Sequence, residues 1–118
     1  MDARTALLVE DNPALLSGLM ELLEGAGVDV VACRNFQDAR EYLQGHTPQV
    51  MVTDLRLGAY NGLHLVLLAR QRASDMSVIV YSAHADAALR AEAHSFGAVF
   101  LEKDQLLTDL IPSVLTAS

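Results

Sequence analysis

The sequence predicts an α/β domain in which a doubly wound parallel sheet carries helices on both faces. Two observations support this. Short, Val-rich apolar runs recur along the chain, and most of them lack alternation between apolar and polar residues, as in strands covered on both faces. The segments between them repeat their apolar residues with the period of a helix. Five strands alternating with five helices favour a parallel sheet joined by right-handed crossovers.

The composition limits the class of protein. The chain has 118 residues and 52% of them are hydrophobic, so we expect a single domain over residues 1–118. Fifteen acidic against eight basic residues give a net charge of −7, which argues against direct nucleic-acid binding. Cys33 is the single cysteine, which excludes a disulfide within the chain. Without a membrane-length apolar run or a signal-peptide core, we expect a cytoplasmic protein.

The strand candidates are four to six residues long: Ala6–Val9, Val28–Cys33, Val50–Thr53, Val78–Tyr81 and Ala98–Leu101. The first helix begins at Asn12, a capping residue, with Pro13 in the first helical position, and it ends near Gly25. Asn35 caps a second helix that ends near Gly45. Helical periodicity in both segments predicts that one face of each packs on the sheet.

Three further helices complete the alternation. A Leu-rich helix is predicted from about Gly62 to Ala73, and an Ala-rich one from Asp86 to about Phe96. We expect the Ala-rich helix to be weakly anchored, because alanine buries little apolar surface. The last helix covers Leu106–Leu115 and contains Pro112, which removes one backbone hydrogen bond.

Chemically specialised side chains follow four of the predicted strands. They are Glu10 and Asp11 after the first strand, Asp54 after the third, Ser82 after the fourth and Lys103 after the fifth. Ligands of open parallel sheets bind outside the carboxyl ends of the strands, so these groups are expected to converge. Clustered carboxylates repel by roughly a few kcal/mol per pair, which a hard cation such as Mg²⁺ offsets. Mg²⁺, a carboxylate nucleophile, a lysine and a hydroxyl are the groups used in phosphoryl transfer.

These residues, in this order, resemble the receiver domain of two-component response regulators, over Thr5 to about Leu115. The loop from Asp54 to Gly62 resembles the family's loop after its third strand. Phe96-Gly97-Ala98 resembles the turn before its fifth strand, and Phe100 matches the family's rotating aromatic. The resemblance implies a flavodoxin-like fold with the strand order 2-1-3-4-5.

The resemblance also implies a metal site. It assigns Asp54 as the phosphoacceptor and as a ligand of Mg²⁺, with Mn²⁺ as a substitute. Asp11 would bind the ion directly, Glu10 through water, and the backbone carbonyl of Arg56 would complete the protein ligands.

Further roles follow from the same resemblance. Lys103 would contact the phosphoryl group, Ser82 would move to hydrogen-bond it, and Phe100 would turn into the space that Ser82 leaves. The side chains at Arg56, Ala83 and His84 would modulate the rate of dephosphorylation.

The resemblance implies the partners as well. The phosphoryl donor would be a histidine kinase or a histidine phosphotransfer protein. The surface of the fourth helix, fifth strand and fifth helix would be switched and read by an output domain or an effector protein, or it would form a homodimer. The domain itself would bind neither nucleic acid nor membrane, and it would catalyse only its own phosphorylation and dephosphorylation.

Two positions depart from the family pattern. Asp104 follows Lys103 where the family usually has a proline behind a cis bond; a cis bond before a non-proline residue costs about 3 kcal/mol, so we expect trans. The loop into the last helix is therefore expected to be displaced. Gly58 stands where the family usually has a proline four residues after the phosphoacceptor, and we expect a more flexible loop there.

Three other functions are alternatives to the receiver. A flavin module of the same topology needs backbone N–H groups after the first strand, but the Glu10–Pro13 loop is anionic and Pro13 has no N–H. An aspartyl-phosphate phosphatase needs Asp-x-Asp after the first strand and usually a cap over the site, whereas this chain has Glu10-Asp11 there and no room for a cap. The full set of site residues argues against a degenerate receiver that signals by binding alone, although Asp104 and Gly58 leave this alternative open.

Overall fold

The computed structural model describes residues 4–58, 60–83 and 87–116. The strands of its main sheet are β1 Thr5–Val9, β2 Asp29–Cys33, β3 Val50–Asp54, β4 Ser77–Ser82 and β5 Val99–Glu102. They are parallel and lie in the order β2-β1-β3-β4-β5. The helices are α1 Pro13–Gly25, α2 Phe36–Gly45, α3 Leu63–Arg72, α4 Ala87–Ser95 and α5 Leu106–Leu115. The predicted α/β class and the flavodoxin-like strand order are confirmed.

The sheet separates two apolar clusters. Leu7 and Val9 of β1 pack on one face with α2 and α3, whereas Ala6 and Leu8 pack on the other with α1 and α5. All five residues of the central strand β3 are buried. Because both of its faces are covered, β3 shows no alternation of apolar and polar residues in the sequence.

The predicted helix caps are present. The Asn12 side chain accepts a hydrogen bond from the Leu15 N–H at 3.1 Å, and the Asn35 side chain accepts one from the Asp38 N–H at 2.8 Å. These caps satisfy amide groups that the first turns of α1 and α2 leave without partners, and they fix where both helices begin.

Helix α4 is weakly anchored, as its composition predicts. Within α4, Ala93 is the one residue that is buried. The predicted start of this helix at Asp86 lies outside the described residues. Across the described ranges, no helix combines the length and the apolar character that a membrane crossing requires.

A short hairpin that the sequence analysis did not predict lies between β3 and α3. Arg56–Leu57 pairs antiparallel with Tyr60–Asn61. Gly58 in its turn has φ +62°, which a proline ring cannot adopt. Tyr60 stacks on Phe36 of α2 with ring centroids 4.8 Å apart, so the second strand of the hairpin contacts α2.

Arg70, near the end of α3, joins two loops at the amino ends of β4 and β5. Its Nε donates to the Phe96 carbonyl at 2.7 Å and its Nη2 to the Gly97 carbonyl at 3.1 Å. Its Nη1 donates to the carbonyls of Ser74 and Met76. One guanidinium therefore holds the turn before β5 against the loop before β4.

Replacing Arg70 by methionine is expected to lower the free energy of unfolding by about 2–3 kcal/mol. The substitution keeps an unbranched apolar side chain but removes every donor, which leaves carbonyls without partners. Urea unfolding measures the change, and Arg72→Met is the matched control because Arg72 is exposed in the same last turn. Equal stability of the two variants would contradict the role of the Arg70 guanidinium in holding the two loops together.

Candidate functional site

Three carboxyl groups meet at the carboxyl ends of β1 and β3. These strands are neighbours, with Val9 opposite Thr53, so the residues that come next along each strand are brought together. Glu10, Asp11 and Asp54 each offer an oxygen atom, and these atoms lie within 4.8 Å of one another. The predicted convergence of the three acidic residues is therefore present in the structure.

The Asp54 carboxylate receives a donor on each oxygen. Its side chain is buried, with 5% of the residue exposed. The Arg56 backbone N–H donates to Oδ1 at 3.0 Å, and Lys103 Nζ lies 3.3 Å from Oδ2. Lys103 reaches Asp54 from the loop after β5 and is 37% exposed, so solvent screens part of this ion pair.

The lysine keeps this reach although Asp104 replaces the usual proline. The Lys103–Asp104 peptide bond is trans, as we expected. Residues 103–105 form a single 3-10 turn, and the Glu102 N–H donates to Gln105 Oε1 at 2.8 Å. This capping box starts the turn that carries Lys103 in a defined conformation.

Glu10 is fully buried, and hydrogen bonds hold both of its oxygens. The Tyr81 hydroxyl donates to Oε1 at 2.6 Å, and the Asn12 N–H donates to Oε2 at 2.9 Å. Burial raises the pKa of Glu10 above its ordinary value, and the acidic groups of Asp11 and Asp54 add to this. The two hydrogen bonds act in the opposite direction and offset part of this rise in the pKa.

Tyr81 is a part of the site that the sequence analysis missed. Burial, and then the Glu10 carboxylate, raise the pKa of Tyr81 far above its ordinary value, so the phenol is protonated and acts as a donor. The sequence places Tyr81 at the end of the strand candidate Val78–Tyr81 and gives it no further role. The available signal was its phenolic hydroxyl, since a buried tyrosine needs a hydrogen-bond partner.

Ser82 and Phe100 lie on neighbouring strands at this end of the sheet. Ser82 is buried at the end of β4, opposite Glu102 of β5. Phe100 is buried as well, and the guanidinium of Arg90 from α4 lies over its ring at 4.7 Å from the centroid. The sequence did not indicate Arg90, because a cation–π contact between two elements leaves no pattern along the chain.

Two of the three positions expected to modulate dephosphorylation lie within the described residues. Arg56, whose backbone N–H donates to Asp54, is exposed, and Ala83 is exposed after β4. His84 lies outside the described residues.

The donor set fits a hard divalent cation. Carboxylate oxygens from three residues are close enough to share one ion, and such oxygens are the ligands that Mg²⁺ and Ca²⁺ take in proteins. Lys103 adds a positive charge on the side of Asp54. The site thus combines an acidic cation pocket with a buried, hydrogen-bonded aspartate.

This fold and this acidic pocket define a receiver-type signalling domain. The response regulator receiver domain family matches residues 6–114, so the chain belongs to that family. It is accordingly a component of two-component signalling and not a conventional enzyme.

Individual relatives agree with this. The C4-dicarboxylate transport transcriptional regulatory protein DctD of Pseudomonas aeruginosa is 33% identical, over 98% of this chain and 26% of its own length. This chain spans between about a fifth and about half of the length of the curated relatives it matches, which are transcriptional regulators.

The similar solved structures include two, at 26% and 25% identity, that bear on the site. The non-phosphorylated HemR receiver domain of Leptospira biflexa is 26% identical, with a TM-score of 0.88, over 97% of this chain and 93% of that one. A Burkholderia pseudomallei response regulator is 25% identical, with a TM-score of 0.83, over 97% of this chain and 65% of that one. That protein carries a phosphorylated aspartic acid and a calcium ion.

Proposed function

We propose that the chain accepts a phosphoryl group on Asp54 from a histidine kinase or a histidine phosphotransfer protein, with Mg²⁺ or Mn²⁺ at the acidic pocket. The observation that carries this proposal is the environment of the Asp54 carboxylate. It is buried, it receives the Arg56 N–H and Lys103 Nζ, and it lies within 4.8 Å of the oxygens of Glu10 and Asp11.

The reaction needs little from the protein besides position and charge. An Asp54 oxygen attacks phosphorus, a P–O bond forms, the P–N bond of phosphohistidine breaks, and the imidazole keeps the electron pair and takes up a proton. Lys103 and the Ser82 hydroxyl would hold the transferred oxygens, and Asp11, Glu10 and the Arg56 carbonyl would hold the cation. When bound, Mg²⁺ supplies positive charge that lets two anionic groups approach.

The switched surface is proposed to lie on α4, β5 and α5, where an output domain or an effector protein would read it. Two features support this. Helix α4 buries little of its surface, and elements of low local stability are the ones that shift most readily. The Arg90–Phe100 contact joins α4 to β5 within this same surface.

Incubation with acetyl phosphate and Mg²⁺, followed by intact mass measurement, tests the assignment. We expect a mass gain of one phosphoryl group, no gain in EDTA, and loss of the group in hydroxylamine, which cleaves an acyl phosphate. Borohydride trapping and peptide mapping should locate the group on the Asp54 peptide. An adduct that forms equally in EDTA, or that resists hydroxylamine, would contradict the proposal.

A further inference from the structure

Tyr81 lies between the two halves of the site. Tyr81 is fully buried on the face of the sheet that packs against α1 and α5. On one side its hydroxyl donates to Glu10 at 2.6 Å, and on the other its ring lies 6.0 Å from Lys103 Nζ. Its backbone carbonyl accepts the Leu55 N–H at 3.0 Å, directly after Asp54. One residue therefore contacts the acidic pocket, the lysine and the strand end that carries Asp54.

The hydroxyl is needed because of where Glu10 lies. A fully buried carboxylate is costly unless hydrogen bonds replace the water it has lost. The Asn12 N–H satisfies Oε2, and Tyr81 is the donor to Oε1. With one donor on each oxygen, the plane and the direction of the carboxylate are fixed.

We propose that Tyr81 is a positioning residue for the divalent cation. Its hydroxyl holds the Glu10 carboxyl oriented toward the pocket shared with Asp11 and Asp54, and its ring lies 6.0 Å from the ammonium group of the lysine that faces Asp54. This inference rests on the proposed function, because it assigns the pocket to a cation. A purely structural tyrosine would contribute to packing and stability but leave cation affinity unchanged.

The direct test is the affinity of Tyr81→Phe for Mn²⁺. The affinity is measured in a titration in which electron paramagnetic resonance reports the concentration of free Mn²⁺. Loss of a group that orients a metal ligand typically weakens metal binding 10- to 100-fold, and we expect about 10-fold here. Tyr42→Phe is the matched control, because Tyr42 stacks on His46 at the end of α2. The Mn²⁺ affinity of this variant should equal that of the wild type. Wild-type affinity in Tyr81→Phe would overturn the proposal.

A double-mutant cycle separates positioning from packing. If Tyr81 acts through Glu10, removing its hydroxyl in a Glu10→Gln background should cause little further loss of Mn²⁺ affinity. An equal loss in both backgrounds would show that the hydroxyl acts independently of Glu10 and would contradict the proposal. Unfolding of each variant in EDTA reports any change in stability separately.

A measurement on the wild-type protein removes the dependence on variants. The chain has three tyrosines, so labelling Cζ with ¹³C gives three signals. Titration with Mg²⁺ should shift the Tyr81 signal and leave that of Tyr42 in place, whereas an unmoved Tyr81 signal would overturn the inference. Wild-type protein that bound no Mn²⁺ and formed no adduct would instead contradict the proposed function itself.

Discussion

Replacing Asp54 by asparagine is expected to abolish the phosphoryl adduct, lowering its rate of formation by at least about 1,000-fold, the scale on which removal of a nucleophile acts. The amide is neutral, so it attacks phosphorus poorly and contributes no charge to the cation pocket. The amide oxygen can still accept the Arg56 N–H, which spans 3.0 Å in the wild type, so the local backbone is expected to persist. Intact mass after incubation with acetyl phosphate and Mg²⁺ measures the outcome.

Folding of this variant can be separated from its chemistry. The lost ion pair with Lys103 is partly exposed and contributes little, whereas the removed charge relieves repulsion with Glu10 and Asp11. We therefore expect a free energy of unfolding in EDTA equal to that of the wild type or up to about 1 kcal/mol higher. Asp29→Asn, an exposed substitution at the start of β2, should keep the wild-type adduct. An adduct of normal rate on Asp54→Asn would mean that another carboxylate is the acceptor.

The acidic pocket could be predicted from the sequence because parallel strands end at the same edge of a sheet. Once Glu10 and Asp54 follow two buried runs, their proximity depends only on the strand order, which the family resemblance implied. Asn12 and Asn35 could be identified as caps because a cap acts within three residues of its own position. Local chemistry and topology together account for most of the site.

Contacts between distant residues could not be predicted in this way. Tyr81 and Glu10 are 71 positions apart, and nothing in the apolar run that ends at Tyr81 marks its hydroxyl as a partner of a carboxylate. Arg70 and Arg90 likewise act on other elements, one through backbone carbonyls and the other through a ring. The hairpin around Gly58 was missed because its two-residue strands are too short to show a period.

The structure explains why position 62 is a glycine, which the family resemblance does not. The resemblance marked it as the end of the loop after Asp54 without saying why a glycine is there. Its backbone angles are ordinary helical ones that alanine also adopts. The constraint is space: a Cβ atom at Gly62 would lie 2.3 Å from the Asp54 backbone oxygen and 3.1 Å from the Leu55 Cα.

Replacing Gly62 by alanine is therefore expected to lower the free energy of unfolding by about 3 kcal/mol, at the upper end of the cost of overpacking. The obstructing atoms belong to the backbone at the end of β3, so relief requires moving the peptide that carries Asp54. The same movement displaces the Arg56 N–H and carbonyl, and Mn²⁺ affinity should fall together with stability. Urea unfolding in EDTA and Mn²⁺ titration measure the two effects.

Gly18→Ala is the control for this substitution, and its expected sign is opposite. Gly18 lies in the interior of α1, and a Cβ atom there would meet nothing within 4 Å. Alanine at an open helical position restricts the unfolded chain and should raise stability by about 0.5–1 kcal/mol. If both alanines stabilised the protein, the close approach of Gly62 to the Asp54 carbonyl could not be what requires glycine. The loop would then have to tolerate a shift of the peptide that carries Asp54.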